Sequence, residues 1–199
     1  MTQTSPPVGK DGLPILSFVG VADFSDWLGR QSPDCPGLWL RLAKKGSPTP
    51  SLSKQDAIDA ALCHGWIDGQ LEKFDAHHWL VRFTPRKPRS KWSQINRRRA
   101  DELIREGRIQ AAGLAQIQAA QRDGRWEAAY QPASEATVPQ DLQDALDANA
   151  DAAAFFATLS GANRYAILYR IGAVKRPESR ARKIAEFVAM LARGETIHG

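Results

Sequence analysis

Residues 78–99 read HWLVRFTPRKPRSKWSQINRRR and contain, in order, a strand, a loop and the start of a helix. The first six residues are rich in β-branched and aromatic side chains, which is typical of a strand. Pro85 and Pro88 then predict an extended loop, because proline fixes φ and removes a backbone donor. Ser93 is a good N-cap residue, so we expect a helix to begin there.

The same stretch is strongly basic. Between Arg82 and Arg99 there are eight Arg or Lys residues and no Asp or Glu, in a 199-residue chain whose formal net charge is +5. The rest of the chain is therefore net negative, and the basicity is local. The charged residues within 100–160 are mainly acidic, and those within 164–183 are mainly basic. Such blocks form surface patches or neutralise one another across an interface, and the sequence does not choose between these arrangements.

The segments before this stretch predict an α+β fold. Residues 38–44, LWLRLAK, alternate in the manner of a half-buried strand. Ser53 followed by Asp56 resembles a capping box and predicts a second helix start. Asp68-Gly69 is the usual signal of a tight hairpin turn. We therefore predict a small antiparallel sheet with flanking helices in the N-terminal part of the chain.

The composition divides the chain into four segments. Residues 1–16 are rich in Pro and Gly and predict a flexible leader, which is followed by the α+β domain over residues 17–126. Residues 127–138 predict a linker. Residues 139–199 show helical periodicity and repeated helix start signals, so we expect a small all-helical C-terminal domain.

The chain has two cysteines, Cys35 and Cys63, which are too few for a disulfide framework. Together with the absence of an export signal, they indicate a cytoplasmic protein with reduced thiols. No apolar run approaches 18 residues, so we expect no membrane span. Neither C-x-x-C nor H-E-x-x-H spacing occurs, so we predict no metal and no cofactor.

The basic loop is the main candidate for a functional site. Guanidinium groups suit bidentate recognition of phosphate or carboxylate, and hydroxyl groups near a helix start suit an oxyanion. In this hypothesis the cations bind the anion, Ser and Asn side chains donate hydrogen bonds, tryptophans line the pocket, and Asp68 orients a guanidinium. The predicted ligand-binding residues are Trp66, Asp68, Arg82, Arg86, Arg89, Ser90, Lys91, Trp92, Ser93 and Asn96.

These residues leave several functions open. The first hypothesis is a binding protein for a small anionic or phosphorylated ligand. The second is an enzyme acting on such a ligand with Asp68 as acid or base, which requires Asp68 to approach Arg82 or Arg89. Nucleic-acid binding ranks third, because zinc ligands, an RRM signature and heptads are absent. Alternatively, the cations pair with the acidic residues 100–160. No protein partner is indicated.

Two neighbouring features have simpler interpretations. Cys63 beside His64 resembles a nucleophile and its base, but adjacent helical residues diverge by about 100°, so we expect a buried structural cysteine. Arg97, Arg98 and Arg99 lie in the first turns of the predicted helix, where cations oppose the helix dipole. We expect these arginines to contact the acidic region and not the ligand.

Five stretches carry specific motifs, namely GLWLRLAKKGS (37–47), ALCHGWIDGQ (61–70), RFTPRKPRSKWSQIN (82–96), GRIQAAGLAQI (107–117) and NRYAILYRIGAVKRPESRARKIAEFVAMLARGE (163–195). Together they resemble the bacterial YdeI or OmpD-associated family, also called bacteriocin-protection proteins, and the resemblance extends from about residue 17 to residue 197. It implies an α+β N-terminal part, a helical C-terminal domain and a role in protection against bacteriocins or antimicrobial peptides. The family usually reads C-F-G-W-I-D-G where this chain has His64.

Overall fold

The computed structural model describes residues 6–198. It contains two compact units, of which the first ends at Ala129 and the second begins at Tyr130. This boundary lies inside the segment that the sequence predicts as a linker. The first unit is α+β and the second is helical, so the predicted fold class is confirmed. Within residues 6–198, no helix combines the length and apolar composition that a membrane span requires.

The first unit contains a four-stranded sheet in the order β1-β2-β4-β3. Strand β1 runs parallel to β2, whereas β2 pairs with β4 and β4 with β3 in antiparallel fashion. The predicted antiparallel sheet is therefore present, with a short parallel strand added at one edge. Its elements are β1 (Ile15–Leu16), α1 (Val21–Gly29), β2 (Leu38–Ala43), α2 (Lys54–Cys63), β3 (Trp66–Lys73), β4 (His78–Pro85), α3 (Gln94–Arg105) and α4 (Ala111–Arg122).

The sheet is covered on both faces. Leu38 and Leu40 of β2 pack with Phe24 of α1 and with α2 in the main core. The opposite face carries Trp39 and Leu80, which are buried against residues from the start of the chain. Strand β2 is therefore buried on both sides and not half-buried as its alternating sequence predicts.

The covering of the second face comes from part of the predicted flexible leader. Leu13 and Ile15 are buried there, and the indole Nε1 of Trp39 donates a hydrogen bond to Asp11 at 2.8 Å. The backbone N–H of Gly9 also donates to the carbonyl of Leu13 at 2.8 Å. Residues 8–16 thus form an ordered N-terminal arm, while residues 1–5 of the predicted leader lie outside the described part.

The predicted hairpin turn at Asp68-Gly69 is wrong, because both residues lie within β3. The pairing register with β4 shifts between Asp68 and Leu71, which marks a β-bulge. The hairpin closes instead at Asp75. The carboxylate of Asp75 accepts hydrogen bonds at 2.7 Å from the backbone N–H groups two and three residues later.

The backbone of helix α4 directly contacts the backbone at the C-terminal end of α2. A Cβ atom on Gly113 would lie 2.3 Å from the carbonyl oxygen of Cys63, so a side chain there would force the helices apart. The N–H of Gln110, the residue before α4, donates to the same oxygen at 3.0 Å. The glycine therefore allows α4 to pack directly on the end of α2.

A buried carboxylate joins α2 to α3. Asp59 is 5% exposed, and its Oδ2 accepts a hydrogen bond from Nη2 of Arg99 at 2.7 Å. Burial by itself raises the pKa of Asp59, but hydrogen bonds from Arg99 and Gln55 outweigh it and hold the pKa below its usual value. Arg99 also pairs with Glu102 and Glu106, as the sequence predicts for a cation at this helix start.

The second unit is a bundle of α5 (Gln140–Asp147), α6 (Ala150–Thr158), α7 (Gly161–Gly172) and α8 (Pro177–Ala192). Asn149 and Ser160 accept hydrogen bonds as the N-caps of α6 and α7. The core of this unit is formed by apolar residues from all four helices, including Leu142, Leu146, Phe156, Ile167, Ile171, Ile184, Phe187 and Leu191.

Candidate functional site

The candidate site is the basic loop, residues 86–92, between β4 and α3. The loop contains a tight turn, in which the N–H of Ser90 donates to the carbonyl of Lys87 at 2.9 Å. The N–H of Lys87 in turn donates to Oγ of Ser90 at 2.9 Å. Pro88 occupies the second position of the turn, where its fixed φ is favourable. The loop is thus a closed turn and not the extended segment that the sequence predicts.

Two of the predicted ligand-binding residues lie beneath this turn. Arg86 is 5% exposed, and its guanidinium stacks over the indole of Trp92, with 3.6 Å between Cζ and the ring centroid. Nη1 of Arg86 donates to the carbonyl of Lys91 at 3.2 Å. Trp92 packs edge-on against Trp126, with ring centroids 4.8 Å apart. This buried stack fixes both ends of the basic loop.

Three cations remain on the outside of the loop, namely Lys87, Arg89 and Lys91. The side chains of Lys87 and Arg89 form no ion pair or hydrogen bond with any residue that the structure describes. Behind them, Nη1 of Arg125 donates to the carbonyl of Ser90 at 2.9 Å while its guanidinium pairs with Asp123 at 2.8 Å. The cation that supports the loop is therefore neutralised, whereas Lys87 and Arg89 have no carboxylate partner among the described residues.

The sheet separates Asp68 from Arg82. Asp68 pairs with Phe83 across the two strands, so these residues share a face. Arg82 is adjacent to Phe83 in β4 and therefore points to the other face, where its Nε lies 3.4 Å from Asp11. The approach of Asp68 to Arg82, one of the two arrangements that the enzyme hypothesis allows, is therefore not formed in this sheet.

The remaining predicted residues have structural contacts of their own. Trp66 is buried in the main core and packs edge-on against Trp27. Ser93 is the N-cap of α3, as predicted, and its Oγ accepts a hydrogen bond from the N–H of Asn96 at 3.1 Å. The structure thus brings Arg86, Ser90 and Trp92 together within the loop, but it buries the side chain of Trp66 in the main core and places Arg82 beside Asp11.

The comparisons with known proteins identify the two parts of the chain separately. A family model described as "Domain of unknown function (DUF8412)" matches residues 16–116, just over half of the chain. The chain belongs to the DUF8412 family. A second model, described as "Bacteriocin-protection, YdeI or OmpD-Associated", matches residues 135–194 and confirms the suspected resemblance for that part of the chain. Neither the curated proteins nor the solved structures contain a match.

Within the DUF8412 match, the structure shows a contact that the sequence does not reveal. Nε2 of His64 lies 2.8 Å from Oγ of Ser25, which comes from α1. Cys63 is buried, and burial raises the pKa of its thiol, so it is a poor nucleophile at neutral pH. The predicted structural cysteine is therefore supported, and His64 contacts Ser25 instead. In the described residues, no three His, Cys, Asp or Glu side chains form a metal-binding group.

Burial of His64 predicts a pH-dependent stability. Burial lowers the pKa of this imidazole, against a smaller opposing effect of Asp26. The unfolded chain therefore binds the proton more readily, and the free energy of unfolding falls as the pH drops below about 6.5. We expect His64→Phe, which restores the aromatic residue of the family pattern, to reduce this dependence.

The measurement is the midpoint of urea-induced unfolding at about pH 7.5 and at about pH 5.5, with tryptophan fluorescence as the signal. His77→Phe is the matched control, because His77 is exposed and should leave the wild-type pH dependence intact. A His64→Phe protein that loses as much stability on acidification as the wild type would contradict the assignment.

Proposed function

We propose that this chain is a binding protein for a ligand with several phosphate groups and that the basic loop of the first unit is its binding surface. The observation that carries the proposal is the exposure of Lys87 and Arg89 on a hydrogen-bonded turn, without a carboxylate partner among the described residues. A turn that is already ordered loses little conformational entropy on binding, which favours affinity.

The exposure of the loop also limits the class of ligand. An exposed ion pair contributes only about 0–1 kcal/mol, so one phosphate on one cation would bind weakly. The two cations without a partner, Lys87 and Arg89, are two residues apart and favour a ligand whose negative charges are repeated at short intervals. The guanidinium of Arg89 can contact a phosphate with two hydrogen bonds, and Lys87 adds a point charge.

A titration of the full chain with inorganic tripolyphosphate tests this proposal. We expect the double variant Lys87→Ala/Arg89→Ala to weaken binding at least about tenfold, equivalent to about 1.4 kcal/mol. Its melting temperature should match the wild type, because neither side chain has a partner in the described fold. Calorimetry gives the affinity and thermal unfolding gives the stability.

The matched control is Arg30→Ala/Arg105→Ala, which removes the same charge from exposed positions of the first unit. Arg105 is at the far end of α3, roughly 17 Å along the helix from the loop. Equal loss of affinity in both double variants would show that net charge binds the probe, and it would refute a site on the loop.

Nucleic acid is a second candidate, because a phosphodiester backbone also presents repeated charges to an exposed surface. Binding to a short mixed-sequence duplex would then weaken with salt, with a slope of about 0.9 per phosphate contact on logarithmic axes. Binding of the duplex with this slope, and no binding of tripolyphosphate, would favour nucleic acid over a small ligand.

Location and cellular role belong to the same proposal. A cytoplasmic location is supported by Cys35 and Cys63, which are both free thiols and suit a reducing compartment. An indirect role in protection against bacteriocins or antimicrobial peptides is suggested by the description of the model that matches residues 135–194. If that role uses the loop, Lys87→Ala/Arg89→Ala should not restore peptide resistance to cells lacking the protein.

A further inference from the structure

The second unit contains a groove between α5 and α8 that the basic loop does not involve. Its volume is about 720 Å³, within the range of roughly 300–1,000 Å³ that is usual for small-molecule sites. Its walls are mainly apolar and small, since both helices contribute alanines. They include Ala145 and Ala148 of α5 and Ala181, Ala185, Val188 and Ala189 of α8.

The groove is elongated. On α8 its lining extends from Pro177 to Ala189, which corresponds to roughly 18 Å of helix. Ala181, Ala185 and Ala189 recur at intervals of four residues and therefore form one row along the helix. All three are exposed, so the apolar surface is open to a ligand. An extended alkyl chain matches this shape better than a compact ring does.

The charges are concentrated at one end of the groove. Asp141 and Arg180 pair there, with 2.9 Å between Oδ1 and Nη2, and so neutralise one another. Lys175 lines the same end, two residues before α8 begins. It is exposed, and its ammonium group has no ion pair or hydrogen bond in the described part of the chain. The groove therefore combines an apolar length with one uncompensated positive charge.

We propose that this groove binds a medium-chain fatty acid, with the alkyl chain along the alanine row of α8 and the carboxylate at Lys175. Burial of methylene groups supplies most of the affinity, at about 0.8 kcal/mol for each buried group. Lys175 supplies a positive charge for the carboxylate head group. This site lies in the second unit and does not depend on the function proposed for the basic loop.

The test is a calorimetric titration of the full chain with sodium dodecanoate below its micelle concentration, and with dodecanol as the uncharged analogue. Ala185→Glu places a carboxylate on the exposed groove wall and should weaken dodecanoate binding at least about tenfold. Lys175→Met should weaken dodecanoate by up to about fivefold, which corresponds to the upper limit of an exposed ion pair, and leave dodecanol unchanged. Arg182→Met, an exposed position of α8 outside the groove, is the charge-matched control.

Several results would overturn the proposal. Absence of dodecanoate binding would exclude a fatty-acid site, and equal binding by wild type and Ala185→Glu would place the ligand elsewhere. Equal weakening of dodecanoate by Lys175→Met and Arg182→Met would remove the specific role of Lys175. A dimer that Ala185→Glu dissociates would show that a second copy of the chain occupies the groove.

Discussion

Replacing Arg99 with alanine should destabilise the first unit by about 3 kcal/mol, since it leaves a buried carboxylate without its cation. Asp59 is 5% exposed, and both of its oxygens accept hydrogen bonds from Arg99. After the substitution, the remaining side-chain donor to Asp59 among the described residues is Gln55, at 2.9 Å. One neutral donor does not compensate for the desolvation of a charge.

Urea denaturation followed by tryptophan fluorescence measures this loss for the first unit specifically, because all six tryptophans lie before residue 129. Arg105→Ala is the control, with an expected change within about 0.5 kcal/mol at this exposed position. Adding Asp59→Asn to Arg99→Ala should recover part of the loss, because it removes the buried charge. A loss below about 1 kcal/mol in Arg99→Ala would contradict the buried ion pair.

The ion pair of Asp59 with Arg99 also predicts how the free energy of unfolding changes at acidic pH. The pKa of Asp59 is lowered in the folded chain, so the unfolded chain binds the proton first as the pH falls. This contribution is fully present above the unfolded pKa of about 3.9 and is lost below it. The stability difference between wild type and Arg99→Ala should therefore narrow at acidic pH.

Trp92→Ala should destabilise the first unit by about 3–5 kcal/mol, the usual cost of truncating a buried aromatic side chain. Trp92 is 2% exposed and packs between Arg86 and Trp126. Its removal leaves a cavity and exposes the face of the Arg86 guanidinium that the indole covers. Trp92→Phe retains an aromatic ring and should lose less than half as much stability.

The stability of Trp92→Ala distinguishes a structural role of the Trp92 indole from a ligand-binding role. Phe74→Ala is the control, because Phe74 is 39% exposed and its truncation should cost no more than about 1 kcal/mol, well below the loss expected for Trp92. The five other tryptophans report unfolding in the Trp92 variants. If Trp92→Ala changed stability as little as Phe74→Ala, the indole would not be needed to hold the loop.

Local signals in the sequence predict the helices well. Ser53 and Ser93 each accept the N-cap hydrogen bond at the expected helix start. The hairpin turn is wrong because Asp-Gly is also compatible with a β-bulge, and the choice depends on pairing with β4. The N-terminal arm is ordered by Trp39 and Leu80, which lie far along the chain. These contacts are not local, so composition does not reveal them.

At the candidate site too, the sequence predicts local features but not contacts between residues that are distant in the chain. The sequence correctly places a cluster of cations between a strand and a capped helix. It does not show that Arg86 is covered by Trp92, because Trp126 completes that stack from another part of the chain. Nor does it show that Arg82 pairs with Asp11, since that contact depends on the face of the sheet to which each residue points. The binding role of Lys87 and Arg89 stays a prediction.

The order of the strands has a consequence for the synthesis of the chain. Strand β2 lies between β1 and β4, and Leu38 pairs with Phe83. While a ribosome makes the protein, the hydrogen-bonding edge of β2 that faces β4 cannot begin to pair before His78 has emerged and cannot be fully paired before Phe83 has emerged. The nascent chain therefore carries an unprotected apolar strand during that interval, whereas α5 to α8 can form largely from contacts that are closer in sequence.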